Sequence, residues 1–294
     1  MHIAEALWQR HSVVAPYPEG VLPVTRPIPG TAFFPGGFGL WRPDGAAPLP
    51  AFPVNGVMVL GHDFHSETGY AASLARGRES PTQPTWLNLI RLLEQVAIPP
   101  EACFFTNVYM GLRAGRETTG VFPGSRNSAF VERCRRFLAE QLAAQRPRLI
   151  LTLGVYAPRV LAPLSPELAD WRDATGFKTL DHLGPLRRGV RFPGADGVEA
   201  TVVALTHPCL RHAAVRHRTY NGMRGHAAEL AMIEDARTMS ARARLPDDSA
   251  EPPLTDAQRG ELARRIDAYR CEPGAVAAWA EVRERIRNNT RPGR

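Results

Sequence analysis

Short apolar runs, each ending in polar residues, recur along the middle of the chain. They lie at 57–60, 102–109, 149–154 and 200–205. Because these runs are apolar throughout rather than alternating, they predict strands buried on both faces, as in a parallel sheet. Between and after them, apolar residues repeat with a helical period at 85–97, 130–144, 155–164 and 220–240. This order predicts a three-layer α/β/α fold around a central, mostly parallel four-stranded sheet with right-handed crossovers.

The two ends of the chain have a different composition. Residues 1–55 begin with a short helical pattern and continue as a stretch rich in Pro and Gly. Aromatic residues in that stretch predict an irregular segment packed on the core rather than a free linker; they are Phe33, Phe34, Phe38, Trp41 and Phe52. We expect the α/β domain to span 56–240, with a linker at 241–253 and a small helical extension at 254–294.

The charge balance bears on the choice of partner. The 294 residues carry a formal net charge of +7, and Lys178 is the only lysine. This excess of positive charge favours a polyanionic partner such as nucleic acid. The preference for arginine over lysine adds less, because a GC-rich genome also produces it. No apolar run reaches the ~18 residues of a membrane span, and the N-terminus lacks the order of a signal peptide. We therefore expect a cytoplasmic protein that is not attached to a membrane.

The four cysteines do not form a metal-binding pattern. They are Cys103, Cys134, Cys209 and Cys271. Without a CxxC pair, the sequence gives no support to a zinc ribbon or an iron–sulfur cluster. His62, His65, His212 and His217 offer an alternative metal site, but they are not spaced at i, i+4 on one helix. We therefore expect neither a metal nor a cofactor.

Polar residues cluster where the predicted strands end. They are Gly61-His62-Asp63-Phe64-His65, Thr106-Asn107, Gly154 and His207-Pro208. Carboxyl ends of parallel strands share one edge of the sheet, where open α/β folds bind ligands. Two long polar loops, 63–84 and 113–127, border these strand ends. Residues 165–198 are also expected to be irregular. The alternative is a set of ordinary turns, with Asn107 as a cap and His207 as a loop histidine.

This ordered set of motifs resembles the uracil-DNA glycosylase superfamily over about 57–234. The segments 84–113 and 134–154 are similar to helix–strand units of its thermophilic, iron–sulfur branch, and 205–210 (LTHPCL) is similar to its His-Pro loop. That branch needs four cysteine ligands, including an N-terminal pair that this chain lacks. We therefore predict membership of the superfamily without the cluster.

The resemblance implies roles for individual residues. Asp63 would position the attacking water and stabilise the sugar cation, His207 would donate a hydrogen bond to the leaving base, and Asn107 would read the pyrimidine edge. Gly61, His62, Phe64 and His65 would complete the base pocket. His65 stands where the best-known uracil-excising branch has a Tyr that excludes the thymine methyl, so a substituent at C5 should be tolerated. The expected DNA contacts are Thr82, Arg113, Pro208, Cys209, Leu210 and Arg211, with Leu210 as the apolar wedge.

The resulting expectation is a monofunctional DNA glycosylase. Acting as a monomer on single- or double-stranded DNA, it would flip out uracil or a modified pyrimidine and hydrolyse the N-glycosidic bond. One alternative is a glycosylase for hydroxymethylated or glucosylated cytosine of phage DNA, acting in anti-phage defence. Another is a catalytically inactive relative that only binds nucleic acid. A Rossmann-like nucleotide binder ranks last, since no GxGxxG turn follows the first strand.

Overall fold

The computed structural model describes residues 1–242. Its strands are β1 (Val21–Leu22), β2 (Val57–Gly61), β3 (Cys103–Asn107), β4 (Leu112–Arg113), β5 (Leu149–Leu153), β6 (Leu186–Phe192), β7 (Val198–Leu205), β8 (Thr219–Tyr220) and β9 (Met223–Arg224). Its α-helices are α1 (Ile3–Arg10), α2 (Glu67–Arg76), α3 (Pro84–Gln95), α4 (Ser128–Gln145), α5 (Tyr156–Leu161), α6 (Phe177–Leu183), α7 (Arg211–Ala214) and α8 (Gly225–Arg242).

The central sheet has five strands in the order β3-β2-β5-β7-β6. The first four are parallel, and β6 pairs antiparallel with β7. The predicted α/β class is confirmed, but the predicted count of four strands is wrong. The fifth strand, β6, lies with α6 inside 165–198, which we expected to be irregular. Only its last three residues, Val190, Arg191 and Phe192, alternate buried, exposed and buried, as suits an edge strand with one solvated side.

Both faces of the sheet are covered. Met58, Phe104, Ile150 and Val202 lie in register across the parallel strands and belong to one core cluster. Their neighbours Val59, Phe105, Leu151 and Val203 belong to the cluster on the other face, where α3 and α8 pack. Continuous apolar strands therefore reflect burial on two sides, as the pattern predicted.

The N-terminal segment covers the free edge of the sheet. The amide of Phe34 donates to the carbonyl of Phe105 at 2.9 Å, and the amide of Phe105 donates to the carbonyl of Gly39 at 2.8 Å. Phe33 and Phe34 are buried, and Phe38 and Phe52 pack against the core. These contacts satisfy the backbone of the edge strand β3, which would otherwise offer unpaired groups to another chain.

Two local features differ from the expected elements. The helix α2 lies inside the loop expected at 63–84; Ser66 caps it by accepting from the amide of Gly69 at 3.3 Å. The last helix begins at Gly225 rather than at residue 220, because a β8–β9 hairpin precedes it. Asn221 and Gly222 both have positive φ, at 48° and 77°, which is the geometry of a two-residue hairpin turn.

The helix α8 extends through Arg242, into the predicted linker. The rest of that linker and the predicted helical extension at 254–294 lie outside the described residues. Within residues 1–242, no helix is long and apolar enough to cross a membrane.

Candidate active site

The carboxyl edge of the parallel strands borders a cavity of about 500 Å³. Most of the residues predicted for the site line it: Gly61, His62, Asp63, Phe64, His65, Asn107, Arg113, His207, Cys209 and Leu210. Three predicted DNA contacts are not part of its lining. These are Thr82, which is exposed and bonds Ser80 through its hydroxyl, and Pro208 and Arg211, which are buried.

Asp63 is held on two sides by cationic or polar groups. Arg113 donates Nε–H to Oδ2 at 2.7 Å and Nη2–H to Oδ1 at 3.1 Å, a bidentate pair. The ring of His62 places Nδ1 2.6 Å from Oδ1 of the same carboxylate. The side chains of Asp63 and Arg113 are only 9% and 5% exposed, so the pair is nearly dry.

These contacts keep the Asp63 carboxyl ionised. Burial is the largest influence on its pKa and raises it, but the hydrogen bonds and charges of His62 and Arg113 together outweigh burial and lower the pKa below its ordinary value. A carboxylate offers about four lone-pair positions. Three are occupied by Arg113 and His62, which leaves Oδ2 with room for a further donor.

Arg113 does not stand at the surface, as its predicted DNA contact would require. Besides Asp63, its guanidinium donates to the carbonyls of Thr119, Gly120 and Val121 at distances from 2.9 to 3.1 Å. These hydrogen bonds join the 119–121 loop to the Asp63 carboxylate. The structure therefore corrects the assignment of Arg113 from a phosphate contact to an internal clamp.

His207 faces the cavity from the end of β7. Its Nδ1 accepts from the amide of Cys209 at 3.4 Å and lies 3.0 Å from the Cys209 sulfur, so we assign the proton to Nε2. Burial lowers its pKa most and His62 lowers it further, while Asp63 opposes them. His207 is therefore a neutral imidazole with one N–H to offer.

The His-Pro loop is anchored from two directions. The carbonyl of Pro208 accepts from Asn88 Nδ2 at 2.9 Å, and the amide of Thr206 donates to Glu229 Oε1 at 2.7 Å. Glu229 also pairs with Arg211 and with the fully buried Arg218. The guanidinium of Arg211 is therefore engaged in a buried ion pair with Glu229, which corrects its predicted role as a DNA contact. Leu210, by contrast, is 55% exposed at the rim of the cavity.

Asn107 is fixed by the N-terminal segment. Its Nδ2 donates to the carbonyl of Phe34 at 2.9 Å, and the residue is buried at the end of β3. Its Oδ1 accepts no hydrogen bond among the described residues and is available as an acceptor in the cavity. A side chain at Gly61 would place its Cβ 2.3 Å from that oxygen, which explains the glycine at the end of β2.

A family model for the uracil-DNA glycosylase superfamily matches residues 82–223. Residues 82–223 belong to this superfamily. The match includes Asn107 and His207, whereas the Gly61–His65 motif precedes it. No curated protein matches the chain. Membership supports a DNA glycosylase-type function, with DNA as the partner.

His65 stands at the position that departs from the best-known branch of the superfamily. Its Nδ1 accepts from the amide of Ser66 at 2.9 Å, and burial lowers its pKa, with Asp63 opposing. A Cβ at Gly69 would lie 1.8 Å from the ring, so the imidazole rests directly on α2. The ring is therefore held in place rather than free to swing aside.

One ionisable group of the main cavity, Glu79, was not predicted from the sequence. Glu79 lines it and is 8% exposed, and its Oε2 accepts from the amide of Phe33 at 2.8 Å. Burial raises the pKa of its carboxyl to about 7, against the opposing contacts with Phe33 and Trp86. No signal in the sequence distinguishes it, because a single Glu in a polar loop ordinarily lies in water.

A second cavity of about 410 Å³ lies beside the first and shares His62 and Tyr156 with it. These two rings stack at 4.9 Å, and Tyr109 stacks on Phe122 at 4.7 Å. The charged residues of its wall are Arg135, Arg159, Arg172 and Asp173. The cavity thus combines cationic groups with aromatic rings.

Within residues 1–242, no group of three or more His, Cys, Asp and Glu side chains is placed to hold a metal ion. Cys103 and Cys134 are buried, and burial raises the pKa of each thiol to about 12. Burial also raises the pKa of the Cys209 thiol, which argues against a nucleophilic role for it.

Proposed function

We propose that this protein is a monofunctional DNA glycosylase that hydrolyses the N-glycosidic bond of uracil or a modified pyrimidine, leaving an abasic site. The observation that carries the proposal is the shared cavity of Asp63, Asn107 and His207, each held in a defined orientation. A base–sugar bond breaks with positive charge on the sugar and negative charge on the base. The cavity offers an anion, an acceptor and a neutral donor.

Asp63 would act on the sugar side. Its remaining lone pair on Oδ2 can accept from a water that attacks C1′, and its charge opposes the developing cation. Because Arg113 already balances much of that charge, we infer that water positioning is the larger part of its role.

His207 and Asn107 would act on the base. The Nε2–H of a neutral His207 can donate to O2 of the pyrimidine as that oxygen gains charge, and Asn107 Oδ1 can accept from the base edge. The bond is out of reach inside a duplex, so the nucleotide must be flipped into the cavity. Leu210, exposed at the rim, is placed to fill the gap in the stack.

We propose that the second cavity, rather than Arg113 or Arg211, holds the DNA next to the flipped nucleotide. Arginines that pair with phosphates and rings that stack on bases are how proteins grip a single strand. Arg135 and Arg159 stand beside the stacked Tyr156 in that cavity. Thr82 and Cys209 remain proposed contacts from the loops bordering the main cavity, whereas the buried Pro208 is better explained as a fixed turn of the His-Pro loop.

A second candidate is a glycosylase for hydroxymethylated or glucosylated cytosine of phage DNA, acting in defence. The cavity volume of about 500 Å³ favours this candidate. It lies in the range of ~300–1,000 Å³ that is usual for ligand pockets, and a flipped uracil alone would fill little of it. A catalytically inactive DNA-binding relative is the third reading, disfavoured by the intact Asp63, Asn107 and His207 set.

The experiment is a panel of oligonucleotides carrying uracil, mismatched thymine, hypoxanthine or C5-modified cytosines. Each is incubated with protein and then treated with alkali to break the strand at abasic sites. Breaks at uracil or at a modified pyrimidine support the proposal and name the base. Binding without breaks on every substrate would support the inactive relative instead.

A further inference from the structure

Glu79 is a buried carboxyl in the cavity wall that the reaction proposed above does not use. It follows α2, and its backbone amide donates to the carbonyl of Thr31 at 2.9 Å. Its Oε2 accepts from the amide of Phe33 at 2.8 Å. A buried carboxyl calls for an explanation, because glutamate is almost never fully buried unless it is paired. Its neutral contacts, the Phe33 amide and the Trp86 side chain, are weak partners for a full negative charge.

The position of Glu79 relative to Asn107 follows from a shared anchor. Glu79 bonds the amide of Phe33, and Asn107 bonds the carbonyl of the next residue, Phe34. Two consecutive residues span at most ~7 Å. Both side chains are therefore tied to one short stretch of the wall, and both line the same cavity.

The protonated form of Glu79 is accessible at neutral pH. Burial raises its pKa to about 7, while the Phe33 amide and Trp86 oppose this shift. The other titratable or charged groups that line the same cavity are His62, Asp63, His65, Arg113, Tyr156, His207 and Cys209. A carboxylic acid with a pKa close to the working pH is well matched to act as a general acid.

We propose that Glu79 binds and protonates a 4-aminopyrimidine, namely cytosine or a C5-substituted cytosine. The inference rests on the proposed glycosylase function and names its substrate class. The acid O–H faces N3 of the base, and the carbonyl oxygen accepts from the 4-amino group, a two-point contact. Uracil can leave as an anion stabilised by a hydrogen bond from His207. Cytosine needs a proton to leave as a neutral base.

The step balances as follows. The Glu79 proton passes to N3, and the N1–C1′ bond breaks with its electron pair going to the base, which leaves neutral. Water adds to C1′ and gives one proton to solvent. The Glu79 carboxylate then recovers a proton from solvent. The products are an abasic sugar and the free aminopyrimidine.

The test compares wild type with Glu79→Gln in single-turnover excision from oligonucleotides carrying uracil, cytosine, 5-methylcytosine, 5-hydroxymethylcytosine or its glucosylated form. Gln keeps an acceptor for the Phe33 amide but cannot transfer a proton. We expect the rate on the aminopyrimidine, relative to uracil, to fall by at least ~100-fold, within the usual range for general acids. The wild-type aminopyrimidine rate should also fall above pH 7, and this dependence should vanish in the variant. Glu94→Gln, at an exposed position on α3, is the matched control.

Three results would overturn the inference, and they are distinguishable. Release of uracil but of no aminopyrimidine by the wild type would reject Glu79 as an acid and leave the proposed function standing. An equal fall in the excision rate on both substrate types would show that Glu79 only holds the N-terminal segment in place. Release of no base at all would reject the proposed function together with the inference.

Discussion

Replacing Glu79 by Gln should stabilise the protein at alkaline pH and leave it nearly unchanged at acid pH. Burial moves the pKa of this carboxyl from an ordinary 4.5 to about 7. The folded state therefore holds its proton more tightly than the unfolded chain does. Stability from this group is fully present below pH 4.5 and is lost as pH rises through 7.

The size of the effect follows from the same two values. Ionising Glu79 in place costs roughly 3 kcal/mol of folding free energy by pH 8, at ~1.4 kcal/mol for each pKa unit. Gln has nearly the same shape and can still accept from the Phe33 amide. We expect the variant to gain up to about 3 kcal/mol at pH 8, or roughly 6–12 °C in Tm for a domain of this size.

The assay is urea unfolding of wild type and variant at pH 5 and pH 8, read as a shift in midpoint at constant m-value. Glu94→Gln removes an exposed carboxylate from α3 and should give the same small shift at both pH values. If Glu79→Gln changes stability equally at pH 5 and pH 8, or destabilises only at pH 8, the carboxyl is ionised in the folded protein and the reasoning fails.

Further predictions concern the reaction, the DNA contacts and the wall of the cavity. Asp63→Ala and His207→Ala should each slow base excision by at least ~100-fold while DNA affinity survives; wild-type turnover by both would reject the site. Arg135→Ala combined with Arg159→Ala should weaken DNA binding and reduce the slope of log affinity against log salt by about 2, and an unchanged slope would place the phosphates elsewhere. Gly61→Ala should cost about 1–3 kcal/mol in chemical unfolding through overpacking, because its Cβ would meet Asn107 Oδ1; a neutral result would show that Asn107 moves freely. Activity should persist in chelator, and its loss with recovery on added metal would reveal a missed cofactor.

The parallel core was predictable because burial on both faces leaves a strong trace in the sequence. Runs such as 149–153 are apolar apart from one buried threonine, Thr152, and have the length of a strand. The edge strand β6 was missed because its LRRGVRF sequence is dominated by solvated arginines. The β8–β9 hairpin did have a signal, since Asn221-Gly222 is a favoured two-residue turn, but an apolar period running through it suggested a longer helix.

The site was predictable in its residue types and less so in its pairings. Strand ends that share one edge bring Asp63, Asn107 and His207 to one cavity, which sequence order alone can indicate. The Arg113 clamp on Asp63 is a contact between residues 50 positions apart, and nothing local distinguishes such an arginine from a surface one. The role of Glu79 was not predictable either, because its burial depends on the distant N-terminal segment folding over it.

The central claim is that the Asp63–His207 cavity breaks a base–sugar bond in DNA. Mass spectrometry of the products from a uracil or modified-pyrimidine oligonucleotide tests it directly. We predict free base and a full-length abasic strand in equal amounts, with strand breaks appearing only after alkali, and neither product from an Asp63→Ala, His207→Ala double variant. Intact substrate after prolonged incubation with every pyrimidine, or the same products from the double variant, would contradict it.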